Sequence, residues 1–193
     1  MTRSPSPEER RRDAERSKQR LIAAALDEFA EKGYAGARVK DIAARAGLNQ
    51  QLISYYFGGK EGLYLALQEL WETTERTFAG PEVPFDELIV RYLSAAIADP
   101  RLSRLLIWEG LEDGPPLGSA SEDLSDLQRR QAQGELAGDL DPAFVHLTFM
   151  GAITLAVAMP RLTRRITGLD PTDPEFERRY AETLRRIARR LRA

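Results

Sequence analysis

The chain has 193 residues, 42% hydrophobic and 30% charged, with no cysteine and a formal net charge of −2. That length suits one or two small domains with a proper core, and the missing cysteine excludes disulfides, thiol catalysis and cysteine-ligated zinc. Residues 1–60 carry a net of +4 and residues 61–193 a net of −6, so the N-terminal part alone suits a polyanionic partner.

Residues 1–16, MTRSPSPEERRRDAER, are polar and charged with two prolines and almost nothing to bury; the composition predicts a disordered tail. Arg10, Arg11 and Arg12 are either solvated there or an arm that follows DNA phosphates. The N-terminus has no apolar run of the kind a signal peptide needs. From Ser17 the pattern is helical: Ile22, Leu26, Phe29 and Ala30 recur at spacings of three and four, and Gly33 supplies a stop. Val39, Ile42, Ala43 and Ala46 make a second short stripe that Gly47 breaks. Asn49 is a good N-cap for a third helix with Ile53, Tyr56 and Phe57 facing inward, and Gly58-Gly59 ends it.

A longer helix then begins with Leu63, Leu67, Leu70 and Trp71 and runs towards Phe78. Phe85 to Ala98 is another stripe, closed by Asp99-Pro100, and Leu102 to Leu111 is a short apolar helix containing Trp108. The turn-rich loop DGPPLGSASED follows, then a helix through Leu124, Leu127 and Gln131. Phe144 to Met159 is the most apolar stretch; at 16 residues it falls short of the roughly 20 that span a bilayer, and is expected to be a buried helix stopped by Pro160. His146, inside it, is expected to be a hydrogen-bonded core residue. After the loop GLDPTDP a last helix carries Phe176, Tyr180, Leu184, Ile187 and Leu191 opposite an arginine-rich side. No alternating strand pattern or internal repeat is present, so the expected class is all-α.

Residues 39–64 carry the functional signal. Ala43 and Gly47, four apart, stand where two short helices would cross and turn, and Gly47 needs a positive φ. This is the spacing of a helix-turn-helix, which presents its second helix to the major groove of DNA. Gln50, Gln51, Ser54 and Tyr55 would project outward; glutamine can bond the N6/N7 edge of adenine and hydroxyls can bond bases or phosphates, while Lys60 would neutralise a phosphate. The plainer reading of the spacing alone is a helical hairpin with a solvated polar face. Catalytic signatures are missing: there is no GxSxG elbow, no phosphate loop of proper spacing and no histidine cluster, and Glu109, Glu112 and Asp113 read as solvated surface. No catalytic residue, metal site or cofactor is expected.

The string IAAALDEFAEKGYAGARVKDIAARAGLNQQLISYYFGGKEGLYLAL, residues 22–67, resembles the N-terminal domain of the TetR/AcrR family of bacterial transcriptional regulators. The resemblance implies a three-helix DNA-binding domain with a helix-turn-helix over 17–62 and a helical effector-binding and dimerisation domain over 63–193. By matching positions Gln50, Gln51, Ser54 and Tyr55 would face bases or nearby phosphates, Tyr56 and Lys60 would clamp the backbone, and Lys40 would touch phosphate or a base edge. Arg38 stands where the family usually has a capping threonine or serine; it can contact phosphate but cannot cap. Asn49 keeps the capping role of a usual serine, and Ser54 reaches less far than a frequent tyrosine.

The implied function is that of a sequence-specific, ligand-responsive repressor, working as a cytoplasmic homodimer on a palindromic operator with an unknown small-molecule effector and no membrane. The dimer seam is expected through the last two long helices. Trp71, Tyr92, Trp108, Phe149 and Met150 are candidates for the effector pocket or for plain core. The alternative is a helical protein-interaction module that does not bind DNA.

Overall fold

The computed structural model describes residues 6–116 and 123–192. Its elements are α1 (Pro7–Gly36), α2 (Val39–Ala46), α3 (Gln51–Phe57), α4 (Lys60–Glu75), α5 (Phe85–Ala98), α6 (Pro100–Glu109), α7 (Ser125–Ala132), α8 (Pro142–Ala158), α9 (Pro160–Thr167) and α10 (Pro174–Arg190). The described residues contain no strand, and the all-α class stands. They divide into two compact units: residues 6–70 with 108–116, and residues 71–107 with 123–192. The boundary read from sequence at 62/63 therefore lies earlier than this division, because Leu63, Tyr64 and Leu67 of α4 are buried within the first unit.

In the first unit α1, α2 and α3 enclose Leu21, Leu26, Phe29, Ile42, Ala43 and Ile53. Glu28 of α1, only 1% exposed, is met by Lys32 Nζ at 2.6 Å and by Arg45 Nη2 of α2 at 3.2 Å, and Arg45 also reaches Glu31 at 2.9 Å. A buried carboxylate is tolerated when cations pair it, so this cluster also fixes where α2 lies on α1. Phe29, Tyr34 and Tyr64 pack ring to ring, with centroids 5.0–5.9 Å apart. Burial, helped by nearby Glu109 and Glu112, pushes the Tyr64 hydroxyl up to about 12.

The expectation of a disordered tail through residue 16 differs from the structure. Residues 1–5 lie outside the described residues, but α1 begins at Pro7 with a capping box: Ser6 Oγ accepts from Glu9 N–H, and the Glu9 carboxylate accepts from Ser6 N–H. Gly33 does break the helix, at φ 69° and ψ 177°, although helical geometry resumes up to Gly36. Beside it, the Glu112 carboxylate accepts from Ala35 N–H at 3.0 Å, which replaces the solvated role expected of that residue. A Cβ on Gly33 would stand 2.3 Å from Glu112 Oε1, in a backbone region that side chains rarely enter. Gly33→Ala is therefore expected to lose about 2 kcal/mol of stability, read as a lowered midpoint in urea denaturation. A midpoint equal to that of the unsubstituted protein would contradict this account.

The second unit is built on α5, α8 and α10. Phe85, Ile89 and Leu93 of α5 share a core with Val145, Phe149, Ile153 and Val157 of α8 and with Ala181, Leu184 and Ala188 of α10. The arginine side of α10 is not simply solvated. Arg189 and Arg192 hold buried Asp86 of α5 at 2.7 and 3.1 Å, and Arg185 holds Glu87 at 3.0 Å. Two expectations for the apolar helix need correcting. Pro160 stops α8 but also opens α9 as its first residue, since proline lacks only an N–H that a first turn leaves unused. And α8 is not buried all round: Phe144 is 67% and Leu147 57% exposed, with Leu155 and Met159 also exposed and His146 only half-buried. No single helix among the described residues is long and apolar enough to cross a membrane, and α8 and α9 meet at 96°. Of the turn-rich loop over 113–123, residues 117–122 lie outside the described residues.

Candidate nucleic-acid interface

The turn between α2 and α3 follows from its residues. Gly47 caps α2 at φ 63°, ψ 37°; its N–H donates to Ala44 O at 3.0 Å and Leu48 N–H donates to Ala43 O at 2.9 Å, closing the helix with a left-handed residue. Arg20 Nη2 of α1 donates to Ala46 O, and a Cβ at Gly47 would stand 2.9 Å from that nitrogen. Asn49 Oδ1 accepts from Gln51 N–H at 2.9 Å, performing the capping expected of it although the assigned helix is preceded by Gln50. Gly58 at φ 74° and Gly59 at φ 129° then turn the chain into α4.

That scaffold decides which side chains are free. Ile53 is fully buried and seats α3, while Gln50, Gln51, Ser54 and Tyr55 are exposed, Tyr55 at 79%. Arg38 and Lys40 are exposed at the start of α2, and Arg38 makes no side-chain cap bond, as its chemistry requires. Tyr56 and Lys60 differ from this set. The Tyr56 ring is half-buried against Tyr55 and Phe57, with Lys18 Nζ 5.7 Å from its centroid. Lys60 Nζ lies 4.5 Å over the Tyr34 ring, and burial lowers its pKa against an opposing pull from Glu112. Sequence reasoning missed Lys18 and Arg20, whose signal was available as basic residues one turn before the first apolar stripe.

The five pocket candidates are divided between the two units. Trp71 and Tyr92 pack together with Phe78 in the second unit, and the Tyr92 hydroxyl donates to Glu75. Burial and that acidic partner hold the Tyr92 pKa well above its ordinary value. Phe149 is core, edge-on to Phe85 at 5.4 Å, and Met150 is half-buried beside it in α8. Trp108 belongs to the first unit, where its indole N–H donates to Ala30 O at 3.3 Å. Among the described residues no group of histidine and carboxylate side chains is arranged to hold a metal.

Residues 21–67, which contain the whole α2–turn–α3 arrangement, match the family model of bacterial regulatory proteins, tetR family. The chain is 30% identical over 197 residues to the HTH-type transcriptional regulator RutR of Escherichia coli O157:H7, covering 92% of this chain and 91% of that one. The chain belongs to the TetR family. A second match is to the HTH-type transcriptional repressor SCO4008 of Streptomyces coelicolor, 43% identical over 105 residues; the alignment covers 53% of this chain and about half, 54%, of that relative's length. The fold agrees with the crystal structure of SCO4942 from Streptomyces coelicolor at a TM-score of 0.70 and 27% identity, covering 89% of this chain and 97% of that one. The TetR-family likeness thus extends beyond the helix-turn-helix to the architecture of the helices that follow.

Proposed function

We propose that this TetR-family protein is a sequence-specific DNA-binding transcriptional regulator, a ligand-responsive repressor that acts in the cytoplasm as a homodimer on a palindromic operator. The observation that carries the reading is α3 itself. Its base is sealed by Ile53 while Gln50, Gln51, Ser54 and Tyr55 stand in solvent with no core to serve. Glutamine edges bond adenine bidentately and the two hydroxyls bond bases or phosphates; exposed Arg38 and Lys40 add charge for the backbone. Tyr56 is half-buried beside exposed Tyr55, and Lys60 would have to leave the Tyr34 ring to meet a phosphate. The name of SCO4008 as a repressor supports the direction of regulation.

Dimerisation supports the reading physically, because one short helix makes too few phosphate contacts for tight specific binding. Of the last two long helices, α8 offers the seam. Phe144, Leu147, Gly151 and Leu155 recur at spacings of three and four and are exposed, so they form one apolar row along α8, and Met159 at its C-terminal end is exposed too. α10 also exposes Ile187. A palindromic operator offers its two half-sites in major grooves about 34–36 Å apart, one for each copy. The effector would meet the Trp71, Phe78 and Tyr92 rings or the Phe149 side of the core, with Met150 and Trp108 as further candidates.

Fluorescence anisotropy with duplexes selected from a random pool tests this. Wild type should bind with steep salt dependence, and Gln50→Ala/Gln51→Ala should lose roughly ten- to hundredfold on the selected sequence, as expected for a lost base pairing of about 1–3 kcal/mol. Leu147→Glu should sediment as a monomer and bind the same duplex far more weakly. No binding to any duplex at low salt would instead favour a helical protein-interaction module.

A further inference from the structure

The first turns of α1 have no packing reason to exist. From Pro7 to Arg20 no residue is buried; burial begins at Leu21. Fourteen helical residues extend about 20 Å, and a helix that buries nothing is marginal by itself. This one is nevertheless started by the Ser6–Glu9 capping box and braced by Glu8–Arg12 at 2.8 Å and Glu15–Lys18 at 3.1 Å. It holds six Lys/Arg against four Asp/Glu. The four acids are largely spent: Glu9 on the cap, Glu8 and Glu15 on Arg12 and Lys18. Among the described residues Arg10, Arg11 and Arg16 have no carboxylate partner.

The rod is also continuous with the DNA-reading surface. Lys18 Nζ lies over the ring of Tyr56 in α3, and Arg20 donates to Ala46 O at the helix-turn-helix corner. At about 100° per residue, Arg11 returns to within roughly 20° of the Lys18 direction, two turns and about 10 Å further from α3. Arg10 flanks that line, and Arg16 falls on the opposite side. Unpaired Arg11 therefore continues the line that Lys18 starts at Tyr56, with unpaired Arg10 about 80° round the helix from it.

We propose that the N-terminal turns of α1 are a second DNA-contacting element, in which Arg11 and Arg10 hold backbone phosphates outside the stretch read by α3. This rests on the DNA-binding reading above and adds to it a site and a chemistry: sequence-independent phosphate contact, fixed in position because the arginines sit on a helix rather than on a loose chain. A preformed rod gives up less conformational freedom on binding than a disordered arm, so each contact retains more of its strength.

The test uses the full chain and a mixed-sequence duplex of about 30 base pairs, long enough for two half-sites a helical turn apart, across a salt series. Arg10→Gln/Arg11→Gln keeps helix propensity and should lower the slope of log affinity against log salt by about 3.6 for a bound dimer, two contacts from each protomer at about 0.9 each, with the same weakening when the duplex sequence is changed. Arg16→Gln should leave the slope unchanged. Slopes that coincide for wild type and the double variant, with circular dichroism showing the helix intact, overturn the proposal while leaving the recognition helix in place. An equal loss in Arg16→Gln overturns it too, since simple loss of charge would then account for the effect. If wild type binds no duplex, the DNA-binding reading fails first and this element falls with it.

Discussion

Gly62→Ala is expected to weaken DNA binding at least tenfold and to lower stability by about 2 kcal/mol. Gly62 lies in the first turn of α4, where a Cβ would stand 1.8 Å from the carbonyl oxygen of Phe57, the last residue of α3. Two effects oppose each other. Alanine is the better helix former by about 1 kcal/mol, but overpacking against a backbone atom that cannot rotate away costs about 1–3 kcal/mol or more. The clash is with main chain rather than with a flexible side chain, so it wins, and relief must come from moving α3 relative to α4. Stability and duplex affinity should therefore fall together. Urea denaturation and anisotropy on the same preparation check this, and an alanine variant more stable than wild type with unchanged affinity would refute the packing argument.

Arg130→Ala should be among the most damaging single changes in the second unit, with an expected loss of about 3 kcal/mol. Arg130 of α7 is 0% exposed. Its Nε donates to Asp126 at 2.6 Å, and Nη1 donates to Val83 O at 2.7 Å and to Glu135 at 3.0 Å. Glu135 in turn accepts from Phe85 N–H at 2.8 Å, at the start of α5. One guanidinium thus ties α7, the Val83 turn and the α5 N-terminus together, and Nη2 is buried without a hydrogen-bond partner among the described residues. Removing it leaves a cavity, a buried carbonyl and Glu135 without its cation; Asp126 keeps Arg129, and the partial exposure of both carboxylates limits the loss. Lysine should not rescue, because a single ammonium cannot reproduce the forked geometry. Thermal unfolding of Arg130→Ala and Arg130→Lys, both far below wild type, is the expected result; a lysine variant as stable as wild type would show that charge alone suffices.

Legibility in the sequence varied with how local the cause was. α5 was readable to the residue, because an apolar stripe and Asp99-Pro100 are both local signals. The corner at Gly47 and the outward side of α3 were readable for the same reason. The helical start at Pro7 has a local signal in the capping signature Ser6-x-x-Glu9, but the polar, proline-bearing composition around it points the other way. α9 has no separate signal, because Pro160 reads as a stop for α8 and equally as a start for the next helix. The exposed row of α8 could not be seen at all: a helix apolar on every side has no polar face to betray which side is uncovered. Lys60 over Tyr34, Glu112 at Ala35 and the closeness of Gly62 to Phe57 all depend on contacts between chain segments, which no spacing rule encodes.

The placement of the two tryptophans has a practical consequence. The sequence has two, Trp108 in the unit that holds the helix-turn-helix and Trp71 in the unit that holds the aromatic cluster around Tyr92. Replacing either by phenylalanine leaves one tryptophan whose emission, excited at the red edge beyond the tyrosine band, reports a single unit, so melting or ligand titration can be followed separately in each without attaching a dye.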